Sequence, residues 1–153
     1  MNRYLIDTNI LLYFITNDSR RIQFMDDNFN LLSAMSTSII SVVTEGEIKS
    51  IALQRNWEQP KLKVLNALLQ KILIADIHVA KIVEAYAEID AFSQGKLRSK
   101  PLGMSARSMG KNDLWIAATA SVLDLPLLTT DKDFQHLDGH FLDLSYVDLN
   151  LIV

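Results

Sequence analysis

Four acidic residues lie where short apolar runs of the sequence end or begin. They are Asp7, Glu47, Asp113 and Asp131. The first and last directly follow strand-like runs, and the other two lie early in stretches with a helical pattern. Clustered carboxylates repel one another, so the pKa of at least one must rise unless a cation lies among them. Oxygen ligands of this kind suit Mg²⁺ or Mn²⁺, which keep bound water available for chemistry.

Each acid taken singly also fits a structural role. Asp is a favoured N-cap residue because its side chain accepts hydrogen bonds from the first helical turn. Asp7, Asp113 and Asp131 could each cap a following turn, and Thr44 with Glu47 has the T-x-x-E spacing of a capping box. Capping alone does not require four acids at four strand-to-helix turns, so their joint placement favours a shared site.

The elements that must position these acids alternate along the chain between short apolar strands and helices. Strands are predicted at 4–6, 37–41, 72–74, 127–130 and 141–144, with 72–74 buried. Helices are predicted at 10–15, 19–34, 42–53, 59–71, 78–97 and 114–123. This alternation predicts an α/β domain of three α/β/α layers around a central, mainly parallel sheet. Ligands collect at the carboxyl ends of parallel strands, where all four acids would meet.

Length and composition narrow the class of protein. The chain has 153 residues, of which 49% are hydrophobic, which suits one domain spanning 1–153. No run approaches the ~20 apolar residues of a membrane span, and the N-terminus lacks a signal-peptide pattern. Cysteine is absent, which excludes disulfides and thiolate chemistry. We therefore expect a cytoplasmic protein without membrane association.

One basic segment interrupts an otherwise acidic chain. The net charge of −3 argues against a protein that coats nucleic acid. Residues 96–111, KLRSKPLGMSARSMGK, nevertheless contain five basic residues and no acid. The segment has no helical or strand period, and such a long loop in a compact domain is usually either functional or disordered. We call residues 98–111 the basic loop.

Four motifs together resemble a known family. YLIDTNILLY, IISVVTEGEI, GKNDLWIAATA and LLTTDKDFQHL match, in order and spacing, the PIN domains, and within them the VapC-type toxins of toxin–antitoxin pairs. The resemblance covers nearly the whole chain. It implies that the metal-binding and catalytic acids of the family correspond to Asp7, Glu47, Asp113 and Asp131. The chain departs from many such toxins in its longer, more basic loop before Asp113.

Two neighbouring acids compete with this assignment. Glu45 and Glu47 point about 200° apart on a helix, so only one can face the site, and Glu47 shares the inward face with Thr44. Asp133 is expected to cap a turn or support Asp131, which lies nearer the strand end. Thr8, Asn9, Thr44 and Asn112 could orient carboxylates or water, although each could equally cap a helix.

The resemblance implies an Mg²⁺- or Mn²⁺-dependent endoribonuclease, a hydrolase of RNA phosphodiesters that serves as a toxin. It further implies a homodimer and a small cognate antitoxin whose C-terminal segment covers the acids. The basic loop could bind RNA phosphates through Arg98, Lys100, Arg107 and Lys111. The alternative is that it is only a solvated, mobile loop. A stand-alone RNA-processing PIN nuclease and a catalytically silent PIN-like binding module remain as alternatives. A receiver-like or phosphatase domain is disfavoured, because Asn9 replaces the second aspartate that such phosphatases need.

A second metal site is possible at His136 and His140, whose spacing of four suits one helical face. Gly139 weakens that helix, and no third ligand is obvious. A surface turn is the preferred interpretation.

Overall fold

A five-stranded sheet forms the centre of the computed structural model, which describes residues 2–152. Its strands are β1 (Leu5–Ile6), β2 (Ile39–Ser41), β3 (Leu73–Ala75), β4 (Leu127–Thr129) and β5 (Leu144–Tyr146). Every pairing is parallel and the order is β3-β2-β1-β4-β5. The first strand of the chain is therefore the central one, with β2 and β4 beside it.

Helices cover both faces of this sheet, as the strand–helix alternation predicted. They are α1 (Thr8–Ile15), α2 (Ser19–Phe29), α3 (Leu31–Ala34), α4 (Val42–Gln54), α5 (Gln59–Lys71), α6 (Ala80–Ser93) and α7 (Lys111–Leu123). Short 3-10 helices occur at Met35–Thr37, Lys132–Leu137 and Leu149–Leu151.

Two apolar cores lie on opposite sides of the sheet because successive strand residues point to opposite faces. Ile6 packs with residues of α1, α2, α4 and α5. Its neighbour Leu5 packs with residues of α6 and α7. These two cores make the three α/β/α layers expected from the sequence.

Several sequence predictions about elements were wrong. β3 is an edge strand, and Leu73 is 55% exposed rather than buried, because only β2 pairs with it. The helix predicted at 19–34 breaks at Asn30, whose φ of 52° places it in the left-handed region. The helix predicted at 78–97 spans Ala80–Ser93, and the last strand begins at Leu144 rather than 141.

The basic loop connects α6 to α7 without regular secondary structure before Lys111. It is nevertheless tied to the body of the protein. The Arg107 N–H donates to the carbonyl of Ser93 at 2.7 Å, and Lys100 Nζ donates to the carbonyl of His140 at 2.8 Å. Across residues 2–152, none of the helices has the length and apolar character that crossing a bilayer would require.

Candidate metal centre

The strand order brings together acids that are far apart in the sequence. β1 pairs with β4 in a register that sets Ile6 beside Leu128. Asp7 follows β1 directly, and Asp131 lies two residues beyond the end of β4. Both acids therefore lie at the same carboxyl edge, as the sequence predicted for parallel strands.

Asp7 is held in a fixed orientation. It is 5% exposed, and its Oδ1 accepts from the Thr8 N–H at 2.7 Å while its Oδ2 accepts from the Thr129 hydroxyl at 2.6 Å. Burial raises the pKa of Asp7 most strongly, these two hydrogen bonds lower it, and the charges of Glu47 and Asp131 raise it. Asp7 caps α1, so the capping interpretation holds for this residue. Capping does not account for Glu47 or Asp113, as described below.

Glu47 reaches the same edge from α4. The Thr8 hydroxyl donates to Glu47 Oε1 at 2.8 Å and lies 3.5 Å from the Thr44 hydroxyl. Glu45 faces elsewhere and pairs with Lys49 at 3.3 Å, as expected for residues two apart on a helix.

The capping-box interpretation of Thr44 and Glu47 is wrong. The N-cap of α4 is Ser41, whose hydroxyl accepts from the Val43 N–H. Thr44 and Glu47 therefore lie inside the helix, where they have no capping role.

Asp113 is the third residue of α7 and caps nothing. The N-cap of this helix is Gly110, which has no side chain, so the capping interpretation of Asp113 is also wrong. Partial burial raises its pKa to about 7, and the charges of Asp7, Asp131, Glu47 and Asp133 add to this effect, in that order. The negative charges of the other four acids therefore all raise the pKa of Asp113.

The tightest acidic group in the described structure consists of Asp113, Asp131 and Asp133. One carboxylate oxygen from each lies within 4.8 Å of the others. Asp131 also accepts from the Asp133 N–H at 2.8 Å and so caps the 3-10 helix Lys132–Leu137. Asp133, which the sequence suggested as a supporting residue, offers its own carboxylate to the group. Asp7 and Glu47 lie outside this trio. We call all five residues the acidic cluster.

The acidic cluster has the chemistry of a site for a hard divalent cation. All its donor atoms are carboxylate oxygens, which Mg²⁺ and Mn²⁺ prefer. Within residues 2–152 the ion pairs are Asp18–Arg21 and Glu45–Lys49, so no lysine or arginine neutralises the cluster. Burial is the largest cause of the raised pKa of Asp113, and the repulsion from the other acids that adds to it is what a bound cation would relieve. Ligation of a metal by these acids remains a prediction.

Polar residues predicted to support the acids differ in their placement. Thr8 contacts both Asp7 and Glu47, whereas Asn9 reaches only the Thr130 hydroxyl, at 3.5 Å. Asn112 is exposed and borders, together with Glu47, a surface groove beside α4. Sequence reasoning missed Thr129, which donates to Asp7 and accepts from the Asp131 N–H at 3.0 Å. The signal was available, because Thr129 is the last residue of a buried strand that ends beside an acid.

The basic residues proposed to contact RNA lie in different places. The Lys100 ammonium bonds to the carbonyl of His140 and lies 4.4 Å from the centre of the Phe141 ring. These partners precede β5, at the sheet edge opposite the acids. Arg98 and Arg107 are exposed, and Lys111 lies two residues before Asp113. Lys100 is thus engaged away from the acids, and RNA contact by the other three remains a prediction.

His136 does not lie on a surface turn, which corrects the prediction for this residue. It is 5% exposed, and its Nε2 lies 2.7 Å from the Ser93 hydroxyl, whereas His140 is exposed. The sequence-based metal site at the two histidines therefore has no support in these side chains.

Comparison with known proteins identifies relatives for nearly the whole chain. The family model described as PIN domain matches residues 4–140. The protein named Ribonuclease VapC1 from Haemophilus influenzae strain R2866 is 27% identical over 147 residues, covering 95% of this chain and 96% of that protein. The crystal structure of VapBC2 from Rickettsia felis bound to a promoter DNA fragment is similar with a TM-score of 0.70 and 25% identity, covering 95% and 99% of the two chains. DNA-bound VapBC from Salmonella typhimurium, at 17% identity and a TM-score of 0.66, shares the fold.

Proposed function

The chain belongs to the PIN-domain family, and from this premise we propose that it is a metal-dependent endoribonuclease that acts as the toxin of a toxin–antitoxin pair. The observation that most directly supports the nuclease is the acidic cluster, where five carboxylates meet without a basic partner. Similarity to Ribonuclease VapC1 and to VapBC2 supports the toxin assignment. We further propose that residues 1–153 act as a single PIN domain.

The residues proposed to hold one or two Mg²⁺ or Mn²⁺ ions are Asp7, Glu47, Asp113 and Asp131, with Asp133 as an additional donor. When bound, such an ion offsets the charge of a phosphodiester and acidifies a coordinated water. The chain supplies preorganisation. The Thr8 N–H and the Thr129 hydroxyl donate to the two oxygens of Asp7. The Thr8 hydroxyl donates to Glu47, and the Asp133 N–H donates to Asp131. These hydrogen bonds fix the carboxylates before substrate arrives.

Asp113 also has a proton-handling role in this proposal. With a pKa of about 7 it changes charge near neutral pH when the cluster has no cation. A cation among the acids would favour its ionised form, because opposite charges lower the pKa of a carboxyl. Its carboxylate would then be an acceptor facing the site.

Arg98, Arg107 and Lys111 are the proposed contacts for RNA phosphates beside the acids. Their side chains are exposed, and phosphate contacts by lysine and arginine supply affinity that is independent of sequence. This arrangement would give an acidic protein one surface suited to a polyanion.

The proposed protein partners are a cognate antitoxin and a second copy of the chain. A peptide with an Arg or Lys side chain is electrostatically complementary to the acidic cluster and could replace the cation there. The VapBC complexes that share this fold support an antitoxin as that partner.

The test of the nuclease is cleavage of mixed RNA by the purified chain with and without Mg²⁺ or Mn²⁺. Asp113→Asn removes the charge with little change in shape, and we expect it to lower cleavage by at least about 10²-fold, with EDTA acting similarly on the unmodified chain. Circular dichroism provides the control, because the fold should survive both treatments. Undiminished cleavage in Asp113→Asn or in EDTA would exclude the metal mechanism.

The same assay separates the alternatives. A catalytically silent PIN-like binding module would leave RNA intact at every metal concentration, although its acids would still bind the ion. A stand-alone RNA-processing nuclease would cleave RNA but would lack a small protein that inhibits it. Co-expression with the neighbouring reading frame tests the latter, because an antitoxin should relieve growth inhibition.

A further inference from the structure

A buried polar contact lies outside the acidic cluster, and the proposed reaction does not use it directly. The Ser93 hydroxyl and His136 Nε2 are 2.7 Å apart, although 43 positions separate them in the sequence. Ser93 is fully buried and His136 is 5% exposed. Buried polar side chains are costly unless they are paired, so this contact must satisfy at least one of the two groups.

Ser93 also anchors the basic loop. Its carbonyl accepts from the Arg107 N–H at 2.7 Å, and its hydroxyl lies 3.4 Å from Met109 Sδ. Residues 103–108 are all exposed. Within the described chain, the hydrogen bonds from residues 103–109 to the rest of the molecule all end on Ser93. One residue therefore fixes the half of the loop that leads to Lys111 and Asp113.

The imidazole of His136 fixes the Ser93 hydroxyl in turn. A hydroxyl has one proton, so it donates to Met109 Sδ only while the Nε2–H of His136 donates to it. Burial and the nearby charge of Arg107 lower the pKa of His136, which keeps the ring neutral. Its Nδ1 is buried and has no hydrogen-bond partner among the described residues.

The same contact connects the basic loop to the acidic cluster. His136 belongs to the 3-10 helix Lys132–Leu137, which begins immediately after Asp131 and includes Asp133. The Ser93–His136 bond thus joins the end of α6, where the Arg107 segment is anchored, to the helix that contains Asp133 and is capped by Asp131.

We propose that Ser93 and His136 are positioning residues that hold the Arg107 segment of the basic loop against the end of α6 and the 3-10 helix Lys132–Leu137, and so set the affinity for RNA. This role rests on the proposed ribonuclease function. The loop is otherwise exposed, and ordering it before binding lowers the entropy that binding must overcome. Ser93 and His136 need not touch RNA, because they act through Arg107 and Lys111.

The first measurement is limited proteolysis, which reports the tether without reference to activity. Trypsin cuts after arginine, and cleavage after Arg107 requires the surrounding loop to open. Ser93→Ala keeps the carbonyl that accepts from the Arg107 N–H but removes the hydroxyl contacts to Met109 Sδ and His136 Nε2, which should accelerate this cut roughly fivefold. Ser105→Ala removes an exposed hydroxyl from the same loop and serves as the matched control, with an unchanged rate.

The second measurement is the kinetics of RNA cleavage in the complete chain with Mg²⁺. Loss of positioning should raise KM roughly threefold to tenfold and leave kcat within about twofold, because contacts to RNA away from the reacting bond contribute equally to the ground and transition states. His136→Phe keeps a ring against Phe92 but removes the nitrogen that pairs with the Ser93 hydroxyl, and it should show this pattern. His136→Gln restores an N–H donor and should recover most of the loss.

The outcomes separate this role from its alternatives. Unchanged trypsin rates and KM in both Ser93→Ala and His136→Phe would overturn the tether. Reduced kcat with unchanged KM would also overturn it, since the bond would then act through the acids rather than the loop. If the wild-type protein cleaves no RNA, the proposed function is overturned and the positioning role with it. If the wild-type protein cleaves RNA and the Ser93 and His136 variants match it in trypsin rate and KM, only the positioning role is overturned.

Discussion

Two regions of this protein bring polar groups together in opposite ways. At the Ser93–His136 contact a donor meets an acceptor, so the Ser93 hydroxyl and His136 Nε2 satisfy each other inside the protein, whereas Nδ1 of the same ring has no partner in the described part of the chain. In the acidic cluster, partial burial together with the charges of four neighbouring carboxylates raises the pKa of Asp113 to about 7. Groups that are satisfied internally hold elements in place. Groups left in mutual repulsion require compensation from outside the chain, which is why the acidic cluster indicates a cation site.

The largest expected effect is that of Asp7→Asn on cleavage. Removing the charge of this buried acid should lower RNA cleavage at least about 10²-fold. The free energy of unfolding in EDTA should stay constant or rise, because a buried charge and its repulsion with Glu47 and Asp131 are lost. Cleavage assays and denaturant unfolding measure the two effects.

Asp18→Asn is the matched control for Asp7→Asn. Asp18 also caps a helix, accepting from the Arg21 N–H at 3.2 Å, but it pairs with the Arg21 guanidinium rather than with acids. Because Asn caps helices as well as Asp, Asp18→Asn should lose only the partly exposed ion pair with Arg21, with slightly reduced stability and unchanged cleavage. If Asp7→Asn behaved like Asp18→Asn, the capping role of Asp7 would be sufficient.

A smaller effect, on the free energy of unfolding, is expected in a double-mutant cycle at the Ser93–His136 contact. Ser93→Ala or His136→Phe alone leaves a buried partner unpaired and should reduce the free energy of unfolding by about 1–3 kcal/mol. The double variant should lose less than the sum of the two, since replacing both partners with apolar groups removes the unpaired atom. Urea unfolding of the four proteins gives the coupling, and strictly additive losses would contradict a direct bond.

The pH dependence of the free energy of unfolding should distinguish the acidic cluster from the Ser93–His136 contact. Folding raises the pKa of Asp113 from its ordinary value near 4 to about 7, so its protonated form favours the native state. In EDTA, stability should therefore fall as pH rises from about 4 to about 7, by a modest amount because the group is only half-buried. Asp113→Asn should flatten this decline.

Mg²⁺ should reverse this loss of stability with rising pH. The ion binds ionised carboxylates, so it should raise the thermal midpoint of the unmodified chain by a few degrees at pH 8 and much less at pH 5. Differential scanning calorimetry measures both the decline and its reversal. An equal Mg²⁺ effect at the two pH values would argue against the cluster as the binding site.

The smallest expected effects concern the basic loop itself. Arg107→Ala and Lys111→Ala should each reduce the slope of log affinity for single-stranded RNA against log salt by about 0.7, the value for one phosphate contact. Lys100→Ala should leave the slope unchanged, because its ammonium is engaged by His140 and Phe141. Fluorescence anisotropy at several salt concentrations tests this contrast, and equal slopes for all three variants would remove the distinction.

The sequence by itself determined the alternation of strands and helices and the placement of acids at strand ends. Local periodicity records which side of an element is buried, so the three layers and the inward face of Glu47 could be predicted. The motifs around Asp7, Glu47, Asp113 and Asp131 were sufficient to identify the family. The exposure of Leu73 could not be predicted, because an apolar run looks the same in a central strand and an edge strand.

Only the tertiary structure decided which polar groups meet. The strand order places β1 between β2 and β4, so Thr8 reaches Glu47 and Thr129 reaches Asp7. The same packing showed that Asp113 caps nothing and that Asp133 joins the acids. It also buried His136 against Ser93. Each of these contacts joins different elements, and a local pattern cannot encode it because it depends on how the chain packs over long sequence separations.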